Sequence, residues 1–207
     1  MPSYSLLIFC QSLKPDEQEM LWQKRSYLMH LPEALPLVLS SVTDWGFYFL
    51  ANVYQIIEDW APLSPVQAMQ LLLPQYPDMR VRQKAIEWIL CASSDFLFNA
   101  LPQLVEALRF EVFESSSLAV ALLSLSYKDR RFAFEIYWQL QQRIDHCVDF
   151  AYAQRCSLLQ KELLERHEED HLRTCWSFGT QVCWLALRNQ HVGQPTLPKQ
   201  SAWVVHV

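Results

Sequence analysis

The sequence predicts an all-α protein, a right-handed α-solenoid of stacked antiparallel helix pairs in the armadillo/HEAT manner, and three observations carry that prediction. The first is the stretch from Tyr76 to Ile89. Pro77 stops one helix, because its ring nitrogen has no N–H to donate and its bulk disfavours helix before it. Asp78 then stands where an N-cap belongs, able to accept from the backbone N–H groups two and three residues on. Val81, Ala85, Trp88 and Ile89 follow at helical spacing as one apolar stripe, with Arg80, Gln83, Lys84 and Glu87 on the other side. The second observation is that the same grammar of short Pro, Ser and Asp punctuation recurs along the chain, as in helical arrays. The third is composition: 51% hydrophobic and 19% charged residues argue for a packed chain, and only 3 Gly leave little room for hairpins or phosphate-cradling loops.

Taken in order, Asp16 to His30 reads as helix, with Met20, Leu21, Trp22, Tyr27 and Leu28 supplying the buried side. Pro32 opens the next, which carries Leu35, Leu37, Val38 and Leu39; Pro36 sits early in it, where a missing donor costs least. Leu50 to Trp60 follows, with Val53, Tyr54, Ile57 and Trp60 on one face. Ser64 caps and Pro65 opens a helix to about Leu73, ended by Pro74 and Pro77. Beyond the Asp78 helix, Ala100 to Phe113 carries Leu101, Leu104, Val105, Leu108 and Phe113 at helical spacing. Ser115 to Ser117 restart the chain, and the nearly continuous apolar run Leu118 to Leu125 predicts a central helix. Asp129 caps a helix to about Ile144, and a last amphipathic helix runs from about Asp149 to His171. Helices joined by so few residues lie antiparallel against each other.

Composition also excludes functions. A net charge of −5 gives no broad electrostatic footprint for nucleic acid or anionic lipid, and no run of Lys and Arg supplies a local one. Ser5 to Cys10 is apolar but too short to span a bilayer, and it lacks the basic flank of a secretory signal. Cys10, Cys91, Cys147, Cys156, Cys175 and Cys183 show no CxxC spacing, so a reduced, cytoplasmic chain is expected instead of a disulfide framework. Cys91, Cys147 and Cys156 fall in helical patterns and are expected at helix–helix contacts.

Several blocks resemble one known family in order and spacing: Leu21-Trp22 with Arg25-Ser26-Tyr27; Leu31-Pro32-Glu33-Ala34-Leu35-Pro36-Leu37-Val38-Leu39; and Ser64-Pro65-Val66-Gln67-Ala68-Met69-Gln70-Leu71-Leu72. They continue through Pro77-Asp78 with Val81-Arg82 and Leu101-Pro102-Gln103-Leu104-Val105-Glu106-Ala107-Leu108-Arg109-Phe110-Glu111 to Tyr137-Trp138 with Leu140. Over about residues 13 to 165 the chain is similar to the helical accessory domain of phosphoinositide 3-kinases, the solenoid between their C2 and catalytic domains. The Ala34 to Leu39 block and Trp88-Ile89 look more like the class II enzymes, which phosphorylate the 3-position of phosphatidylinositol and its 4-phosphate at endosomal and plasma membranes. What the resemblance implies here is a scaffold against which C2 and kinase domains pack, peripheral to membranes through those partners.

The departures limit that implication. Class I subunits carry an acidic patch before the first helix that meets a regulatory SH2 domain; the matching positions are Ser12 and Pro15, neither acidic. The family also places basic residues in the helix after Ser117, where this chain has Val120 and Leu125. A lipid kinase needs an Asp-Arg-His…Asn loop and an Asp-Phe-Gly metal ligand. Neither occurs, and Asp129-Arg130-Arg131 reads as a helix cap with a charged face, so no catalytic residue, cofactor site or metal site is assigned. Trp22, Trp60, Trp88 and Trp138 read as packing residues, Glu58-Asp59 as an exposed pair, and His30 as complementing a helix C-terminus.

One motif competes. His167-Glu168-Glu169-Asp170-His171 fits HExxH, in which two imidazoles a helical turn apart bind zinc and the Glu activates water. The charged Glu169 and Asp170, in a run with Glu162, Glu165 and Glu168, read instead as a solvated face. The later imidazoles, His191 in a Gly-Pro segment and His206, do not supply a third ligand at metzincin spacing. From Thr174 onward the character changes: no Asp or Glu follows Asp170, and two of the three Gly lie there. A spliced or read-through tail and simple divergence both fit. A short helix over Val182 to Arg188 is compatible with the sequence, and the remainder of the tail is expected to be poorly ordered.

The expected organisation is an N-terminal extension at 1–12, a helical accessory domain at 13–172, and a divergent, partly disordered tail at 173–207. Three function classes follow: a catalytically inactive scaffold of a class II-like phosphoinositide 3-kinase, a free-standing helical-repeat adaptor, and a zinc hydrolase. Metal analysis after exhaustive dialysis tests the last, and the expected result is no stoichiometric zinc. A content near one per chain, lost in His167→Ala, would promote the hydrolase.

Overall fold

Residues 13–42 and 46–167 are described by the computed structural model, and within them every regular element is helical. Among the described residues nine α-helices run α1 Pro15–Leu28, α2 Leu35–Ser40, α3 Phe47–Asp59, α4 Pro65–Ala68, α5 Met79–Leu90, α6 Ser94–Ala107, α7 Ser117–Lys128, α8 Arg130–His146 and α9 Phe150–His167. Helix α3 packs on α5, α5 on α7, α7 on α8, and α6 on α8. Packing between every second helix as well as between neighbours is the signature of stacked pairs, so the array is a helical solenoid. The chain divides into two units, 1–163 and 164–207, and the packing below concerns the first.

The helix starts are set by side-chain caps, which satisfy N–H groups that a first turn leaves without partners. Ser64 and Gln67 form a reciprocal capping box at α4. Asp78 Oδ1 accepts from the N–H groups of Arg80 and Val81 at 2.9 and 3.1 Å. Ser93, Ser116, Asp129 and Asp149 do the same for α6, α7, α8 and α9. Asp78 does more than cap: its Oδ2 accepts from the Tyr54 hydroxyl at 2.9 Å, tying α3 to the start of α5. Arg80 then lies 4.6 Å over the Tyr54 ring.

The stripe Val81, Ala85, Trp88 and Ile89 is buried as expected, joined by Ile86. Helix α7 is central, with Leu118, Ala119, Ala121, Leu122, Leu123 and Leu125 all buried. For three aromatic side chains of this core, the polar tip finds a backbone carbonyl from a distant element. Trp60 Nε1 donates to Leu31 O, Tyr76 Oη to Pro36 O at 2.8 Å, and Tyr152 Oη to Val105 O at 2.8 Å.

The least expected group in the core is Arg82, whose side chain is 4% exposed. Its Nε and Nη2 donate to Glu111 Oε1 at 3.0 and 2.8 Å, and Glu111 is itself buried. Nη1 donates to the carbonyls of Leu72, Leu73 and Tyr76, and Nη2 also to that of Ala107. Those carbonyls end the segment after α4 and the end of α6, so one guanidinium terminates two helical segments.

Several elements differ from the sequence-based expectation. Helix α1 buries no residue: Met20 and Tyr27 are more than half exposed, and only Trp22 and Leu28 press on the core, with Met29 just beyond the helix. Residues 20, 21 and 22 fan over some 200° of a helix, so no single neighbour can cover them all. Trp22 instead stacks edge-on against Phe49 and carries Arg25 at 4.6 Å. The helix placed at Leu50 begins at Phe47, and the one from Ser64 tightens into a 3₁₀ turn over Met69–Leu72. The helix placed at Ala100 begins at Ser94, because Ser93 caps it and Pro102 sits inside it, not in its first turn. It ends in a 3₁₀ turn, Leu108–Phe110, which leaves Phe113 outside the helix and 60% exposed. Cys156 is buried between helices, but Cys91 and Cys147 occupy C-caps, the first exposed and the second half-buried. Helix α9 is described to His167, so the expected extension to His171 and the 1–12 and 173–207 segments lie outside the described residues.

Denaturant unfolding checks these assignments. Asp78→Ala should cost about 1 kcal/mol for the cap, and somewhat more because Tyr54 loses its acceptor. Trp88→Ala should cost roughly 3–5 kcal/mol as a large core deletion. Glu111→Ala strands a buried guanidinium and should also cost about 3–5 kcal/mol. The paired variant Arg82→Met, Glu111→Met should recover only part of that loss, since the carbonyls of Leu72 and Ala107 lose their donor; full recovery would show that the carbonyl bonds contribute little.

Candidate interaction surfaces

The ends of two segments meet over Arg82 and leave an open apolar groove. The 3₁₀ turn after α4 supplies Met69, Leu72 and Leu73; α6 supplies Gln103 and Ala107, and the turn after it Phe110. The cavity measures about 290 Å³, near the lower end for a ligand-sized cleft. Its shape follows from local sequence: Pro74 stops the first segment just past Leu73, and Arg82 ties Leu72 to Ala107 by donating to both carbonyls. Glu106 stands on the rim, held by Arg109 at 3.1 Å and Arg143 at 3.0 Å.

A second feature is the corner between α8 and α9. Arg109 lies 4.9 Å over the Tyr152 ring, and Arg155 Nη1 donates to the carbonyls of Leu108 and Arg109. Burial raises the Tyr152 phenol well above its ordinary range, and burial pushes the Cys156 thiol up to about 11. Exposed apolar side chains mark this end of the array: Val148 is fully exposed and Phe150 80% exposed.

The residues singled out in the sequence take structural places. Asp129 accepts from the Arg131 N–H at 2.8 Å and pairs with its guanidinium, so it is a cap, and that pairing holds its carboxyl below the usual range. Glu58 is exposed and pairs with Lys84 at 2.8 Å, while Asp59 accepts from Gln55. Trp60 and Trp88 are buried, Trp22 and Trp138 half-buried, and Trp138 meets Phe134 and Tyr137 edge-on. His30 is exposed just past α1. Pro15 opens α1, Val120 is 55% exposed and Leu125 buried; Ser12 lies outside the described residues. His167 is the last residue of α9, and Glu168 to His171 lie outside the described residues. Among the described residues no group of three or more His, Cys, Asp or Glu side chains is placed to hold a metal ion.

Arg82 and Glu111 were legible only as charged residues in helical blocks. The signal that finds Arg82 is register: with Ile86 and Ile89 it falls at i, i+4 and i+7, on the buried stripe.

Among the described residues the side chains brought together cap, tie and pack an all-helical array. Residues 10–175 match the model of the phosphoinositide 3-kinase family accessory domain, the PIK domain, and the chain belongs to that family. It is 53% identical over 165 residues, 79% of its length, to phosphatidylinositol 3-kinase piki-1 of Caenorhabditis elegans. It is 36% identical over 139 residues, 67% of its length, to the phosphatidylinositol 4-phosphate 3-kinase C2 domain-containing subunit alpha of Pongo abelii. Against the human subunit beta it is 32% identical over 164 residues, 77% of its length. The matches cover 10%, 8% and 10% of those proteins, so the chain spans about a tenth of the relatives' length.

Stability against alkali tests the buried thiol. The unfolded Cys156 loses its proton near 8.5, the folded one at about 11. Its folded pKa is the higher, so stability is fully present below about 8.5 and falls as pH rises toward 11. Denaturation midpoints from pH 8 to 10.5 should decline more steeply in the wild type than in Cys156→Ala.

Proposed function

We propose that the chain acts as the helical scaffold of a class II-like phosphoinositide 3-kinase, packing against C2 and kinase domains in phosphatidylinositol 3-phosphate signalling. The observation that carries the reading is the set of relatives. The family match covers the whole described array, and two of the similar proteins are named as C2 domain-containing 3-kinase subunits. The array at 13–172 is the scaffold unit, flanked by 1–12 and 173–207. The groove over Arg82 and the exposed apolar corner at Val148 and Phe150 offer surface for neighbouring domains. Among the described residues no helix is long and apolar enough to cross a membrane. Association with endosomal or plasma membranes would therefore come through the partner domains.

By itself this chain does not transfer phosphate, because its sequence holds neither an Asp-Phe-Gly metal ligand nor an Asp-Arg-His loop. Purified chain with ATP, Mg²⁺ and phosphoinositide vesicles should give no turnover above a protein-free control. Added to separately purified C2 and kinase segments of the human C2 domain-containing subunit beta, it should co-elute in size-exclusion chromatography. Failure to bind either segment, with the chain folded by circular dichroism, would overturn the scaffold reading in favour of a free-standing adaptor.

A further inference from the structure

Resting on the scaffold reading, we propose that the groove over Arg82 docks a segment of a neighbouring protein domain that presents one large apolar side chain with a carboxylate close beside it. Size and lining point to a single anchoring side chain. At about 290 Å³ the cavity lies near the lower end for small-molecule clefts. Met69, Leu73, Ala107 and Phe110 wall it, and Leu73 stays 41% exposed. A flexible Met and an aromatic ring suit a pocket that closes round another protein's side chain, and both residue types are enriched in interface cores. Gln70 comes from the 3₁₀ turn after α4 and Gln103 from α6. Each amide can both donate and accept, which matches the backbone N–H and C=O groups of a peptide. A lipid chain offers them neither.

The charge pattern sets what flanks the anchor. Residues 61–77, which include one wall of the groove, contain no charged residue, and neither do residues 96–105 of α6. The ionic group that lines the groove is Glu106, and two guanidiniums hold it, Arg109 at 3.1 Å and Arg143 at 3.0 Å. All three side chains are 30–40% exposed, so a partner can reach them. The carboxylates that follow the two walls in the chain are committed elsewhere. Glu111 pairs with Arg82 in the interior, and Asp78 caps α5 and accepts from the Tyr54 hydroxyl. Two cations against one carboxylate leave a surplus positive charge on an otherwise uncharged border. A partner carboxylate beside the anchor complements that surplus, while a Lys or Arg there is repelled, so charge selects the register as well as the partner. The apolar anchor supplies the affinity, in the manner of a central pocket residue.

A display library of random peptides, selected on the purified chain and counter-selected on Leu73→Asp, reads the preference directly. Leu73 is partly exposed and meets Arg82 through its carbonyl, which the substitution leaves in place. The recovered peptides should carry a Leu, Met, Phe or Trp with an Asp or Glu within a few positions. By fluorescence anisotropy such a peptide should bind the wild type severalfold more tightly than it binds Leu73→Asp. Replacing its acid by the matching amide should weaken binding severalfold. Raised salt should do the same in the wild type, which needs no variant to fold, because screening acts on partly exposed charges. Glu106→Gln, which releases both guanidiniums, should tighten the acidic peptide severalfold and leave the amide peptide unchanged. No enrichment over Leu73→Asp, a consensus with Lys or Arg beside the anchor, or binding indifferent to both salt and Glu106→Gln would overturn the proposal. So would phosphatidylserine vesicles bound in preference to every peptide and lost in Leu73→Asp. The library contains no C2 or kinase segment, so recovery of acidic, apolar peptides by a chain that fails to co-elute with those segments would count against the scaffold reading alone.

Discussion

The buried guanidinium of Arg82 is the constraint on which the middle of the array depends. A solenoid built from short helices ends its backbone ladder many times, and each end leaves carbonyls without intrahelical partners. At the surface water answers them. Between α5 and the ends of its neighbours the carbonyls lie in the packed interior, where a planar cation with five donors can serve several of them at once. Arg82 does this for Leu72 and Ala107 at once, with Glu111 compensating its charge. The pair is therefore more than an ion pair, because desolvating two charges for each other alone brings little net stability. Its value lies in letting a 3₁₀ turn and the end of α6 meet in the interior, and that meeting shapes the groove above it.

The same logic explains the tyrosines and tryptophan that cross the array. Trp60, Tyr76 and Tyr152 each fill core volume with a ring and spend the polar tip on a carbonyl from a distant segment. Such contacts fix register between non-adjacent helices, which apolar packing alone leaves adjustable by small slides. Caps set where each helix begins, and these hydrogen bonds set how far along its neighbour it lies. Together they give a stack whose repeats support each other.

Much of this was legible because its causes are local. Asp78, Ser64 and Asp129 cap helices through backbone groups two or three residues away, so a short window of sequence contains the whole interaction. The stripe Val81, Ala85, Trp88 and Ile89 is a matter of period alone. What escaped depends on residues far apart in the chain. Arg82 reads as one more charge on an amphipathic helix until Glu111, Leu72 and Ala107 are brought around it. Helix α1 carries enough apolar residues to look buried, yet burial requires a neighbour on that side, and among the described residues α2 and Phe49 are the neighbours that answer most closely. The start of α6 was missed for another reason: the apolar spacing was read only from Ala100, while the Ser93 cap fixes the helix start at Ser94 and leaves Pro102 inside it. The interaction surfaces were the least legible. Nothing periodic announces a groove, which arises from where two segments stop.

The physical design also bears on how such a domain could serve a kinase. Stability in this chain is spread over caps, cross-array hydrogen bonds and one continuous core. A body of that kind presents surfaces whose shape is set by its own packing. Of the positions where the sequence reading found departures from the family pattern, Pro15 and Val120 are exposed, while Leu125 is buried. The core, by contrast, keeps the Val81-Arg82 and Phe110-Glu111 blocks that the Arg82 tie requires. Interior electrostatics tolerate little change, because a buried charge without its partner costs several kcal/mol, whereas a surface position can exchange partners at small cost to folding. A scaffold can thus hold its architecture across a family of lipid kinases while the contacts it offers differ from one member to the next.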